Sequence, residues 1–156
     1  MKYLYPAVLL LILGGCASGT PSNKYYNNQI YGMWDCEYTS EEDGTTINAK
    51  SSDVYVRNGK VNSFGNLNVQ FAPGSETVEY SVSMSGSWKI QNGYLITESS
   101  ETKIVNISHP ELDEIFNLND FLPQNISDSS KILKITRNEM SLKSETDGSI
   151  YNCVRK

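Results

Sequence analysis

Apolar and polar side chains alternate most cleanly between Val78 and Ile90. Val78, Tyr80, Val82, Met84, Gly86, Trp88 and Ile90 take the even positions, and Glu79, Ser81, Ser83, Ser85, Ser87 and Lys89 the odd ones. A period of two held over this length predicts a β-strand with one dry and one wet face. A helix would scatter the same residues round its axis. At about 3.3 Å per residue the strand would span roughly 40 Å, and Gly86 is the expected place for a bend or bulge.

Turn signals divide the rest of the chain. Asp43-Gly44, Asn58-Gly59, Asn92-Gly93 and Asp147-Gly148 read as tight hairpin turns, Pro73-Gly74 as another and Arg137-Asn138-Glu139 as a weaker one. Between them lie strands over 31–39, 45–57, 60–71, 77–91, 94–107, 131–137, 139–145 and 149–155. The chain is thus expected to be mainly β, an eight-stranded up-and-down antiparallel meander. A meander of that count closes into a barrel or leaves two exposed edges. One short helix is expected before the sixth strand. Ser108-His109-Pro110-Glu111 reads as a capping box with proline in the first turn, and Leu112, Ile115, Phe116 and Asn119 follow at helical spacing.

The first residues carry a different signal. Lys2 precedes an apolar run, Leu4–Leu13, too short for the roughly 20 residues that span a bilayer. Leu13-Gly14-Gly15-Cys16 closes it, and a charged start, a short apolar segment and small residues before the cleavage point make an export signal. With cysteine at that point the segment resembles the lipobox of bacterial lipoproteins. The resemblance implies removal of residues 1–15, diacylglycerol on Cys16 and acylation of the new N-terminus. It makes the membrane a partner through the lipid anchor. Ala17 rather than aspartate after the cysteine implies the outer membrane, facing the periplasm, in a host with two membranes. Residues 16–30 are rich in Ser, Asn, Gly and Pro and read as a lipidated flexible tether. The domain then runs from 31 to 156.

Setting Cys16 aside for the lipid leaves Cys36 and Cys153, which an oxidising compartment would join in a disulfide. They fall in the first and last strands, so the bond requires the sheet to close on itself. If Cys36 opposes Cys153 in an antiparallel pair, Trp34 opposes Arg155 on the same face. That would set a guanidinium on an indole as a cation–π pair. Gly32-Met33-Trp34 opening the first strand, the meander and an arginine in the last strand resemble the lipocalin-like barrels. There a G-x-W tryptophan packs under an arginine of the final strand at the closed end; the matching positions here are Trp34 and Arg155. Gly86-Ser87-Trp88 and the closing T-D-G-S-I-Y-N-C resemble small bacterial lipoproteins with such domains. The helix before the sixth strand departs from the lipocalin order, in which it follows the last.

Composition narrows the function classes. With 13 Lys+Arg against 18 Asp+Glu, and no basic stripe, nucleic acid is not the expected partner. His109 is the only histidine and beside Pro110 reads as a first-turn residue of the helix, so no catalytic triad or histidine-containing zinc site is expected. Glu41-Glu42-Asp43 and Asp113-Glu114 read as solvated surface. No cofactor, metal site or catalytic residue is expected, and the chain is not read as an enzyme. Trp34, Tyr38, Phe71, Tyr80, Met84 and Trp88 either line a ligand pocket or fill the core. Two functions compete. One is an envelope lipoprotein holding a small apolar or amphipathic molecule in its barrel. The other is a protein-interaction lipoprotein of the pilotin, immunity-protein or lysozyme-inhibitor type, with a filled barrel.

Overall fold

The computed structural model describes residues 22–114, 118–120 and 125–156. The expected signal segment and Cys16 lie outside the described residues, as do Ile115, Phe116 and positions 121–124. Helix α1 (Asn23–Ile30) precedes eight strands: β1 (Gly32–Glu42), β2 (Thr45–Tyr55), β3 (Lys60–Gln70), β4 (Thr77–Gln91), β5 (Tyr94–Asn106), β6 (Ser127–Ile135), β7 (Glu139–Ser144) and β8 (Ile150–Arg155). Each strand pairs antiparallel with the next, and β8 returns to β1, giving a closed up-and-down barrel. Compared with the sequence expectation, β1 extends to Glu42 and β6 begins at Ser127.

Local chemistry sets this order. Asp43-Gly44 and Asn92-Gly93 have positive φ at both residues, which gives two-residue turns whose twist matches the strands they join. Gly86 sits beside the register shift in β4–β5. A Cβ there would lie 2.2 Å from the Glu98 carbonyl oxygen, so only glycine allows the two backbones so close.

Two expectations are corrected. Among the described residues before β6 there is no α-helix; Pro110–Glu114 and Leu118–Asp120 are short 3₁₀ turns. The hydroxyl meant to cap a helix is used elsewhere, since Ser108 Oγ accepts from the Glu79 backbone N–H at 2.9 Å. Other polar side chains of the segment turn to the unpaired edge of β5. The Asn119 amide donates to the Ile104 carbonyl at 2.6 Å and accepts from the Ile104 N–H at 2.8 Å. Asp113 accepts from the Asn106 N–H at 3.2 Å. Side chains thus satisfy a strand edge that would otherwise be open to foreign pairing.

The α-helix lies instead at Asn23–Ile30, within the residues read as a flexible tether. Ser22 caps it, its Oγ accepting from the Tyr25 N–H at 3.4 Å. Tyr26 and Ile30, one turn apart, are buried against the barrel end. Trp34 Nε1 donates to the Ile30 carbonyl at 2.7 Å, and the Tyr25 hydroxyl to that of Ile135 at 3.2 Å. Docking onto a prebuilt apolar surface thus orders a segment whose own helix propensity is poor. The helix seals one mouth of the barrel.

The β1–β8 seam holds the disulfide Cys36–Cys153, with the two residues in register opposite each other. Trp34 opposes Arg155 in the same ladder, with the guanidinium carbon 4.2 Å from the ring centroid. Arg155 also donates to the carbonyls of Gln29, Tyr31 and Arg137. Gly32 completes the arrangement. Its φ of +116° is open to glycine, and a Cβ would stand 2.7 Å from Arg155 Nη1.

Candidate ligand-binding site

Inward-facing residues divide the barrel into layers along its axis. Next to α1 lies the main apolar cluster, built on Ile30, Trp34, Tyr55, Val61, Trp88 and Met140 with the disulfide. Towards the other mouth a smaller one joins Val69, Val78 and Tyr80 to Ile47, Leu67 and Ile104. Between the two, smaller and more polar side chains leave a cavity of about 260 Å³. Tyr38, Tyr151, Ser51 and Ser63 supply its polar lining, and Ala49, Leu67, Val82 and Ile104 its apolar lining.

Gly65, also in the wall, explains part of the room. A Cβ at this position would meet the Lys50 carbonyl oxygen at 2.1 Å, so no side chain can fill the space. Lys50 and Asn66 border the cavity too, but alternation along β2 and β3 places them on the outward-facing set.

Tyr38 and Tyr151 face each other across the seam, ring centroids 4.5 Å apart at an interplanar angle of 47°. Burial raises both phenols above their ordinary pKa, with the Asp147 charge adding to it, so both stay neutral at physiological pH. Below them Asp53 faces inward from β2. Ser63 donates to its Oδ1 at 2.5 Å, and Ser51 also hydrogen-bonds the carboxylate. Burial pushes the Asp53 carboxyl up, against those two hydrogen bonds, which favour its ionised form. Tyr55 is raised well above the ordinary phenol by burial and then by the charges of Asp53 and Asp128. On the far wall Asp128 accepts from Ser130 at 3.0 Å and Thr146 at 3.2 Å. Thr102 Oγ1 is buried with no hydrogen-bond partner among the described residues.

Of the six residues put forward as ligand-lining, Tyr38 alone borders the cavity. Trp34 and Trp88 are fixed in the apolar cluster beside α1, each indole N–H already bonded to a backbone carbonyl. Met84 packs against that cluster, and Tyr80 belongs to the smaller one. Phe71 lies past the end of β3 and is 58% exposed, which corrects its assignment. Alternation identifies the inward side of a strand but not the height at which packing leaves space. Tyr151, Ser51 and Ser63 were missed for that reason. The signal that reaches Tyr151 is the Cys36–Cys153 register carried one pair further, to Tyr38.

A second depression, of about 970 Å³, lies on the outer wall over β1–β3 and β7–β8. Phe64, 62% exposed, stands in it among Asp35, Lys50, Lys134, Glu139 and Lys156. Asp35 is held below the usual carboxylate range, chiefly by the Ser52 hydroxyl at 2.5 Å, with help from Lys156 at 3.3 Å. Among the described residues, no cluster of His, Cys, Asp and Glu is placed to hold a metal ion. No protein-family model matches the chain, and no curated protein matches it either.

Proposed function

We propose that this protein is a lipid-anchored envelope lipoprotein whose lipocalin-like barrel binds a compact amphipathic molecule. The observation that carries the reading is the cavity. The barrel is sealed by α1 at one end, yet its interior is not packed throughout, and the space has apolar walls with four hydroxyls converging on it. At about 260 Å³ it lies just below the roughly 300–1,000 Å³ of drug-sized sites, which suits a short ligand rather than a long acyl chain. The location rests on the lipobox-like Leu13-Gly14-Gly15-Cys16. Alkyne-palmitate labelling in cells would check it, with incorporation expected in the wild type and lost in Cys16→Ser.

Helix α1, all eight strands and the disulfide lie within residues 22–156. The chain from residue 16 carrying Cys16→Ser is therefore the unit for solution work. Exported behind a cleavable secretion signal, recovered from the periplasm and sprayed under native conditions, it should carry a small-molecule adduct that is lost on denaturation. An adduct-free mass, together with no uptake of a neutral fluorophore such as N-phenyl-1-naphthylamine, would count against ligand binding.

The protein-interaction reading draws on the outer depression with its exposed Phe64. Crosslinking in intact envelopes tests it. A single partner captured by wild type and lost in Phe64→Ser would favour that reading.

A further inference from the structure

We propose that the cavity selects a cationic ligand, a small organic ammonium carrying a short apolar portion. This inference rests on the ligand-binding reading above and gives that ligand a charge.

At Ser63 the polar lining of the cavity is turned to accept hydrogen bonds. Ser63 has a single hydroxyl proton, and the 2.5 Å bond to Asp53 commits it to the carboxylate. The lone pairs of Ser63 are then left for the cavity it lines. Asp53 thus fixes the polarity of a group that would otherwise donate or accept indifferently. A ligand meeting this wall must bring donors or positive charge.

Charge on the inward face points the same way. Among the described strand residues facing inward, Asp53, Asp128 and, at the end of β1, Glu42 are carboxylates, and Arg155 is the cation. Arg155 is occupied at the α1 end, stacked on Trp34 and donating to three carbonyls. Among the described residues nothing basic therefore faces the ligand space from within the barrel, and an anionic head group would meet acceptors and like charge. An ammonium would instead find the Tyr38–Tyr151 ring pair, whose π-faces attract cations. A positive charge there would also offset the burial that disfavours the ionised Asp53.

Three near-isosteres separate charge from shape: choline, neutral 3,3-dimethylbutan-1-ol and anionic 3,3-dimethylbutanoate. Each is titrated into the Cys16→Ser chain while the Tyr38 and Tyr151 ring resonances are followed by NMR. Choline is expected to bind at least tenfold more tightly than the alcohol, and the carboxylate more weakly than either. Asp53→Asn removes the negative charge and weakens its hold on the Ser63 proton, and should bring choline and the alcohol within about threefold. Ser63→Ala, which removes the acceptor itself, should also weaken choline selectively.

Equal binding of choline and the alcohol would overturn the charge assignment and leave ligand binding standing. So would uptake of N-phenyl-1-naphthylamine with no response to choline. An unchanged preference in both variants would overturn the role given to Asp53 and Ser63. Failure of the fluorophore and all three isosteres would instead defeat the ligand-binding reading itself.

Discussion

Arg155 stacks on Trp34 at 4.2 Å and donates to the carbonyls of Gln29, Tyr31 and Arg137, so one side chain ties β8 to β1, α1 and the β6–β7 turn. A planar fork with five donors can serve three acceptors while lying flat on an indole, and a lysine ammonium cannot. Arg155→Ala is expected to cost about 2–4 kcal/mol, because besides the stacking it strips the part-buried carbonyls of Gln29 and Tyr31 of their donor. Arg155→Lys should recover less than half of that. Urea unfolding followed by tryptophan fluorescence measures both.

The Cys36–Cys153 bond links positions 117 residues apart, nearly the full length of the barrel. Closing so long a loop restricts the unfolded chain by about 4–5 kcal/mol on the chain-entropy model. The Cys36→Ala/Cys153→Ala double variant should therefore unfold at a much lower urea midpoint, with a larger effect than any single core truncation. A loss under about 1 kcal/mol would mean that the strand ladder alone holds the seam.

Helix α1 contributes a fully buried Ile30 to the sealed end. Ile30→Ala should destabilise by about 2–4 kcal/mol, the range for truncating a buried aliphatic side chain. A residue in a solvated tether would show no effect. The same unfolding curves decide between these.

Asp53 gives a pH signature. Burial raises its pKa in the folded state above the unfolded value, so its protonated form is the one that folding favours. Stability from this group is present below the unfolded value, near 3.8, and is lost as pH rises through the folded pKa. At pH 7 the ionised carboxylate is thus a net cost. Asp53→Asn should therefore stabilise the protein there, seen as a rise in Tm. The gain should shrink towards pH 4. Thermal scans across that interval provide the check, and a variant less stable at pH 7 than at pH 4, relative to wild type, would reverse the sign.

The strands were legible because alternation and turn chemistry agree. Asp43-Gly44 and Asn92-Gly93 take the positive φ values their residues favour, and Val78–Ile90 keeps its even positions inward throughout. Closure was legible from two cysteines and one register. Helix α1 was not, because Asn23–Ile30 has little intrinsic preference for helix. Its only signals were the Ser22 cap and the Tyr26/Ile30 spacing, both of which gain meaning from the surface they dock on. At Ser108 the reverse happened: a sound capping motif lost to a backbone N–H across the barrel edge. The cavity was the least legible feature. Tyr38, Tyr151, Ser51 and Ser63 meet only once eight strands have fixed their relative heights, and sequence period carries no such information.

Saturable uptake of N-phenyl-1-naphthylamine by the Cys16→Ser chain tests the ligand site most directly. The wild-type barrel should bind one fluorophore per chain, and Ala49→Phe, which fills the cavity from β2, should abolish binding while its unfolding free energy stays within about 1 kcal/mol of wild type. Undiminished binding by Ala49→Phe would place the fluorophore elsewhere and contradict the account.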